Sequence, residues 1–244
     1  MLVDALAVRL RPRTPNEAID LGVRLCQSAA PAVYRAYFVV YLPVVAVALA
    51  STELLGWSST IIIWWMKPWL DRTILFVLSR AAFGQATRPA DVWRAQRDVW
   101  WRQLISTLTL QRVSPWRSLT QPVYQLEGVS FWRAGLRVRQ IKRRAAGSAF
   151  MMTHVFSMCE NALTFALVSL IFWFAPAGTT PDPVDAFTGD LSSVIVIGVP
   201  IAYAAVVLFL EPFYVAAGFA MYLHRRAELE AWDIEQEFRR AFAA

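Results

Sequence analysis

Five charged residues stand inside apolar stretches of this 244-residue chain: Lys67, Asp71, Arg72, Glu160 and Glu211. A charge at the middle of a membrane helix costs about 2.5–3.5 kcal/mol on insertion scales, so each is expensive unless paired or used. Lys67 and Asp71 are four residues apart and share a helix face. Counted from the inner ends of their segments, Arg72 lies about 12 Å deep, Glu160 about 16 Å and Glu211 about 20 Å. Side chains at those depths are able to meet. One chemistry open to them is a polar path, with Lys67 and Arg72 opposite Glu160 and Glu211, for a proton or an anionic headgroup. Another is a buried ion-pair network that fixes a helix bundle and does nothing else. A third is pairing with a helix of a partner protein.

Catalysis has little support. Glu160 and Asp71 form a conceivable acid/base pair, but no nucleophile, oxyanion device or metal-ligand spacing accompanies them. His154 reads as an interfacial or packing histidine rather than a base. With only His154 and His224, a His-rich metal site is excluded. Cys26 and Cys159 are isolated and give neither a metal site nor a disulfide framework. The glycines lack phosphate-binding spacing. Neither an enzyme nor a cofactor is expected.

The elements that position these charges follow from the basic residues. No Lys or Arg occurs in residues 36–66 or 145–224, while 13 of the 24 fall in residues 80–144. That alternation predicts a polytopic membrane protein whose basic segments stay cytoplasmic. The apolar fraction, 57%, exceeds that of soluble domains. Several of the 11 Trp sit where apolar runs meet polar ones, as interfacial anchors do. The net charge of +6 could serve nucleic acid, but basic residues that flank apolar spans favour anionic lipid headgroups, and no nucleic-acid partner is expected.

Along the chain, residues 1–33 read as a cytoplasmic lead and an amphipathic helix. Thr14 caps that helix, Pro15 suits its first position and Glu17 completes a capping box. It lies either on the inner leaflet or packed on protein. The first apolar run begins too late for a secretory signal and is expected to be retained. Residues 34–80 hold two spans, 34–53 and 58–80, joined by a turn at Leu54–Gly56. The second is interrupted by Lys67, Pro68, Asp71 and Arg72. It either crosses as a Pro-kinked helix, which the apolar run Thr73–Leu78 favours, or belongs to a re-entrant hairpin.

Residues 81–148 form a basic, Trp-rich cytoplasmic or interfacial region. Arg88–Pro89 starts a helix that places Trp93, Trp100, Leu104 and Leu108 on one face, with breaks at Val113–Pro115 and Thr120–Pro122. A second helix, from about Phe131, runs directly into the third span. Its Arg133, Arg137, Arg139, Lys142, Arg143 and Arg144 are the expected contacts to anionic lipid. Residues 149–222 hold the last two spans, around an outer loop at 175–192 with three Asp and no basic residue. Residues 223–244 continue as a cytoplasmic helix.

Three stretches, Arg11–Asp20 (RPRTPNEAID), Val113–Glu127 (VSPWRSLTQPVYQLE) and Glu211–Glu235 (EPFYVAAGFAMYLHRRAELEAWDIE), resemble an uncharacterised proteobacterial family of integral membrane proteins. Members are often encoded beside a MoxR-type AAA+ ATPase and transglutaminase-like envelope proteins. The resemblance spans most of the chain. It implies an inner-membrane component of an envelope-associated assembly and carries over no catalytic residue.

The expected fold is therefore all-α, with about four transmembrane helices, amphipathic helices at the cytoplasmic face and both termini cytoplasmic in the bacterial inner membrane. The expected function is a non-catalytic component of a multiprotein envelope system, contacting anionic lipid and a membrane-protein partner or a second copy of itself. The alternative is a small transporter or lipid-handling protein that uses the intramembrane charge cluster.

Overall fold

A computed structural model of the chain describes residues 14–53, 58–128, 131–174 and 193–230, and every regular element among them is helical. In chain order these are α1 (Pro15–Ala50), α2 (Ser58–Ala82), the short helices α3 (Pro89–Arg94), α4 (Leu104–Leu108), α5 (Leu110–Val113) and α6 (Arg117–Leu126), then α7 (Phe131–Phe174) and α8 (Ser193–Glu230). Residues 1–13, the expected turn Leu54–Gly56, the expected outer loop 175–192 and the tail 231–244 lie outside the described residues.

Thr14 caps α1 as its sequence requires, its hydroxyl accepting the Glu17 backbone N–H at 3.3 Å. The helix does not stop before the first apolar run. It continues for 36 residues, about 54 Å, with Pro31 and Pro43 inside it. Instead of lying on a surface, its first half packs on protein: Ala18, Gly22 and Cys26 are buried in line with Val33, Tyr37, Tyr41 and Ala48. That stripe faces α8, which runs antiparallel to it. Tyr34 donates to the Phe209 carbonyl and Tyr41 to the Ala204 carbonyl, both at 2.8 Å. At Gly22 a methyl group would lie 2.4 Å from the Ala216 carbonyl oxygen, so only glycine allows this approach.

The far end of α1 is tied to the start of α2 by a hydrogen bond between the Ser51 and Ser58 hydroxyls, 2.7 Å. Pro68 leaves α2 continuous from Ser58 to Ala82. α8 is the hub, packing on α1, α2, α6 and α7, whereas α7 packs on α8 and α6 but hardly on α2. A cleft is left between α2 and α7.

Two segments, Pro15–Glu53 and Val196–Glu230, are long and apolar enough to cross a membrane. Of the four expected spans, the other two are helical but carry charge in their apolar parts: Lys67, Asp71 and Arg72 on α2, Glu160 on α7.

The region between α2 and α7 departs from expectation. The single helix expected from Arg88 ends at Arg94, gives way to a wide turn at Arg97–Trp101 and reverses at Gln103, whose φ is +58°. Bonds to α2 override the helical periodicity there: Arg72 gathers the Asp98 and Val99 carbonyls, and the Trp100 indole donates to the Thr73 hydroxyl at 3.0 Å. Trp93 and Trp100 still meet, edge to face, with ring centroids 5.1 Å apart. Thr120–Pro122 breaks nothing and lies inside α6. Beyond it, α7 runs without interruption from the basic segment into the apolar one, as expected.

Candidate functional site

The charge cluster is built by four helices. On α2, Lys67 and Asp71 sit one turn apart and are both buried. Lys67 Nζ lies 2.5 Å from Glu160 of α7 and 2.7 Å from Glu211 of α8. Its ammonium thus bridges the cleft that α2 and α7 do not close by packing. Arg117, the first residue of α6, supplies the second cation. Its Nη2 lies 2.6 Å from Glu211, and its Nε lies 2.9 Å from Asp71, which is fully buried at 0% exposure. The Nε contact is an ion pair without hydrogen-bond alignment, and both Asp71 oxygens lack a hydrogen-bond donor among the described residues. Two cations therefore hold three carboxylates.

Of the five charges singled out in the sequence, four meet here and Arg72 does not. Its guanidinium turns away, to the Val99 and Asp98 carbonyls and, at 2.9 Å, to the Thr107 hydroxyl. It pins the segment Asp98–Thr107 to α2 and pairs with neither Glu160 nor Glu211. The cation that replaces it, Arg117, escaped the sequence reading because it stands in a polar stretch assigned to the cytoplasmic face.

α6 reaches the cluster because two more of its side chains bind the backbone of α2. Gln121 and Gln125, one turn apart, donate to the carbonyls of Pro68 and Arg72, each at 2.8 Å. On its other side α6 touches α8, where a methyl group on Gly218 would lie 2.3 Å from Ser118 Cβ. α6 is thus a wedge between α2 and α8 and no surface helix.

Beside the cluster lies a pocket of about 180 Å³ in the α2–α7 cleft. Lys67, Arg117, Glu160 and Glu211 form its floor, and Trp64, Arg112 and Ser157 stand among its walls. Trp64 is 45% exposed and Ser157 is exposed, so the pocket opens on the flank of the bundle. Arg112 lies over the Trp64 ring, 3.3 Å from its centroid. Burial and the neighbouring Arg117 cation push its guanidinium down to about 10, and it stays charged at neutral pH.

The six basic residues of the first part of α7 divide in two. Arg137 pairs with Glu127 at 3.0 Å and with Glu230, tying α6, α7 and α8 together. Burial alone would lower its guanidinium; the bonds to Glu127 and Glu230 outweigh that and raise it. Lys142 lies 3.4 Å over the Trp116 ring. Arg139, Arg143 and Arg144 are exposed and make no ion pair among the described residues, while Arg133 stands in the first turn of α7. Among the described residues no group of three or more His, Cys, Asp or Glu side chains is placed to hold a metal ion.

No family model, curated protein or solved structure matches the chain.

Proposed function

We propose that the chain is a non-catalytic, four-span component of the bacterial inner membrane, both termini cytoplasmic, that joins an envelope-associated multiprotein assembly. It has no chemistry of its own. The observation that carries this reading is the outer face of α7. Phe150, Met151, Val155, Met158, Phe165 and Trp173 are exposed there, the last two at 75% and 86%. Polar His154 and Asn161 are exposed on the same helix, two turns apart. Large apolar side chains outside and charges inside suit a lipid environment. Polar side chains among the exposed apolar ones suit a partner helix, because intramembrane polar groups work as interhelical glue. The internal ion pairs, already closed on one another, fit a network that holds the bundle. Arg139, Arg143 and Arg144 are free to take anionic headgroups, and the family resemblance points to the same setting.

Purification of the intact protein from membranes in mild detergent tests the reading. A stoichiometric protein partner or a second copy is expected, and its loss is expected when Asn161 and His154 are replaced by Leu. A monomer with no protein partner would overturn it.

A second reading, a small transporter or lipid-handling protein, is favoured by one feature, the pocket beside the charge cluster. It predicts a stoichiometric ligand without a partner in the same preparation.

A further inference from the structure

We propose that the pocket between α2 and α7 is a binding site for a zwitterionic phospholipid headgroup carrying a primary ammonium, of the phosphoethanolamine type, with Arg112 taking the phosphate and Glu160 the ammonium. The proposal rests on the membrane placement above and is independent of any protein partner.

Charge comes first. Lys67 and Arg117 are each held by two carboxylates. Arg112 is the one cation at the pocket with no ion pair among the described residues, and its Nε is buried without a hydrogen-bond partner. A buried, unpaired donor on a guanidinium is costly and asks for an acceptor. A phosphodiester supplies it with the geometry that arginine prefers. The pocket holds carboxylates as well as cations, so a ligand with a positive pole beside its phosphate meets both. Glu160 is the acid suited to the second pole: Lys67 bonds only its Oε2, and it is the least buried of the three carboxylates, with a side-chain exposure of 15% against 2% for Glu211 and 0% for Asp71. Its other oxygen takes no bond from a cation.

Shape follows the same direction. The pocket, about 180 Å³, is small for a drug-sized ligand. It opens sideways, where a lipid arrives without leaving the membrane. Trp64, which lines the pocket and is exposed, and the exposed Ile61 and Leu163, one turn along α2 and α7 from Trp64 and Glu160, offer apolar surface for acyl chains.

The test is native mass spectrometry and competition on the full-length protein in detergent, with phosphatidylethanolamine, its mono-, di- and trimethylated forms and phosphatidylglycerol of identical chains. One copy of phosphatidylethanolamine is expected to be retained. Affinity should fall with each methyl group and reach about a tenfold loss for the trimethylated form, which has no N–H to donate. Arg112→Gln should weaken retention about tenfold; Arg112 lies outside the ion-pair network but covers the Trp64 ring, so the variant's melting temperature without added lipid is read beside it. Soluble glycerophosphoethanolamine should compete, weakly, whereas inorganic phosphate should not. Preference for phosphatidylglycerol, equal retention across the methylation series, or competition by inorganic phosphate would overturn the proposal. The methylation series needs no variant, so unfolding of Arg112→Gln would not shield it. Failure of membrane fractionation, a separate experiment, would defeat the placement instead.

Discussion

Arg117→Leu is the perturbation that the cluster geometry makes most informative. The side chain is 6% exposed and holds Asp71 at 2.9 Å and Glu211 at 2.6 Å. Its removal leaves three carboxylates facing the single ammonium of Lys67. Asp71 loses the one ion-pair partner it has among the described residues, at a fully buried site. Breaking a buried pair from one side costs about 3–5 kcal/mol, because an uncompensated charge stays behind. Asp71→Leu alone strands less, since Arg117 keeps Glu211. The double variant Arg117→Leu/Asp71→Leu restores one ammonium between two carboxylates, Glu160 and Glu211, the arrangement Lys67 already bridges. Most of the loss should then be recovered, with a coupling of about 2–3 kcal/mol between the two sites, the upper part of the range for contacting residues. Reversible unfolding in mixed micelles, followed by helical circular dichroism, measures all four species. A double variant no more stable than the worse single variant would refute the pairing. A neutral Arg117→Leu would refute the burial of the cluster itself.

Four further outcomes are expected. Arg72→Leu and Glu160→Leu should be additive in unfolding free energy within about 0.5 kcal/mol, since Arg72 binds the Asp98 and Val99 carbonyls and not the cluster; strong coupling would place Arg72 in the network after all. Gly218→Ala should cost about 1–3 kcal/mol through its clash with Ser118, and Ser118→Gly should recover only part of that, because the Ser118 backbone carbon also lies 2.5 Å away; Gly22→Ala should have no such partial rescue, because it strikes only the Ala216–Ala217 backbone. Replacing Arg139, Arg143 and Arg144 by Gln should lower the affinity of the full chain's inner face for anionic vesicles by about 1 kcal/mol each, salt-dependently, whereas Arg137→Gln should lower stability instead; equal effects on vesicle binding would contradict that division. A cysteine at Gly178 should react with an impermeant thiol reagent in intact cells and one at Gly128 should not; labelling at Gly128 alone would invert the topology.

Much of the architecture was legible because it depends on local rules. The Thr14–Glu17 cap, the start at Pro89 and the unbroken passage from basic to apolar residues in α7 rest on capping and periodicity, and all three are present. The errors lie where a distant partner outweighs a local signal. Residues 15–33 looked like a separate amphipathic helix, but the same apolar stripe finds α8 and the helix simply continues. Thr120–Pro122 looked like a breaker. Pro122 costs α6 one backbone hydrogen bond near its start, which the side-chain bonds to α2 outweigh. The helix expected from Trp93 to Leu108 is broken because the carbonyls of Asp98 and Val99 serve Arg72 instead of their own turn.

The site shows the same division. Depth along the helices brought Arg72, Glu160 and Glu211 to about one level, and the four-residue spacing put Asp71 beside Lys67. Depth alone does not fix rotation about the axis, and rotation sends Arg72 to the other side of α2. Without Arg72 the remaining set has one cation for three acids, and a buried set of that kind demands another basic residue. The signal that marks it is the composition of α6: Ser118, Thr120 and Gln121 are all buried despite being polar. Polar residues with four-residue spacing, as in Arg117, Gln121 and Gln125, describe a helix that faces buried polar groups as well as they describe one that faces water. What decides between the two is whether a neighbour has carbonyls and carboxylates to offer at the same spacing. α2 does, with Pro68 and Arg72 presenting backbone oxygens and Asp71 its carboxylate one turn apart. α6 is therefore part of the bundle's polar core, and a change on it should be felt by every long helix that Lys67 and Arg117 join.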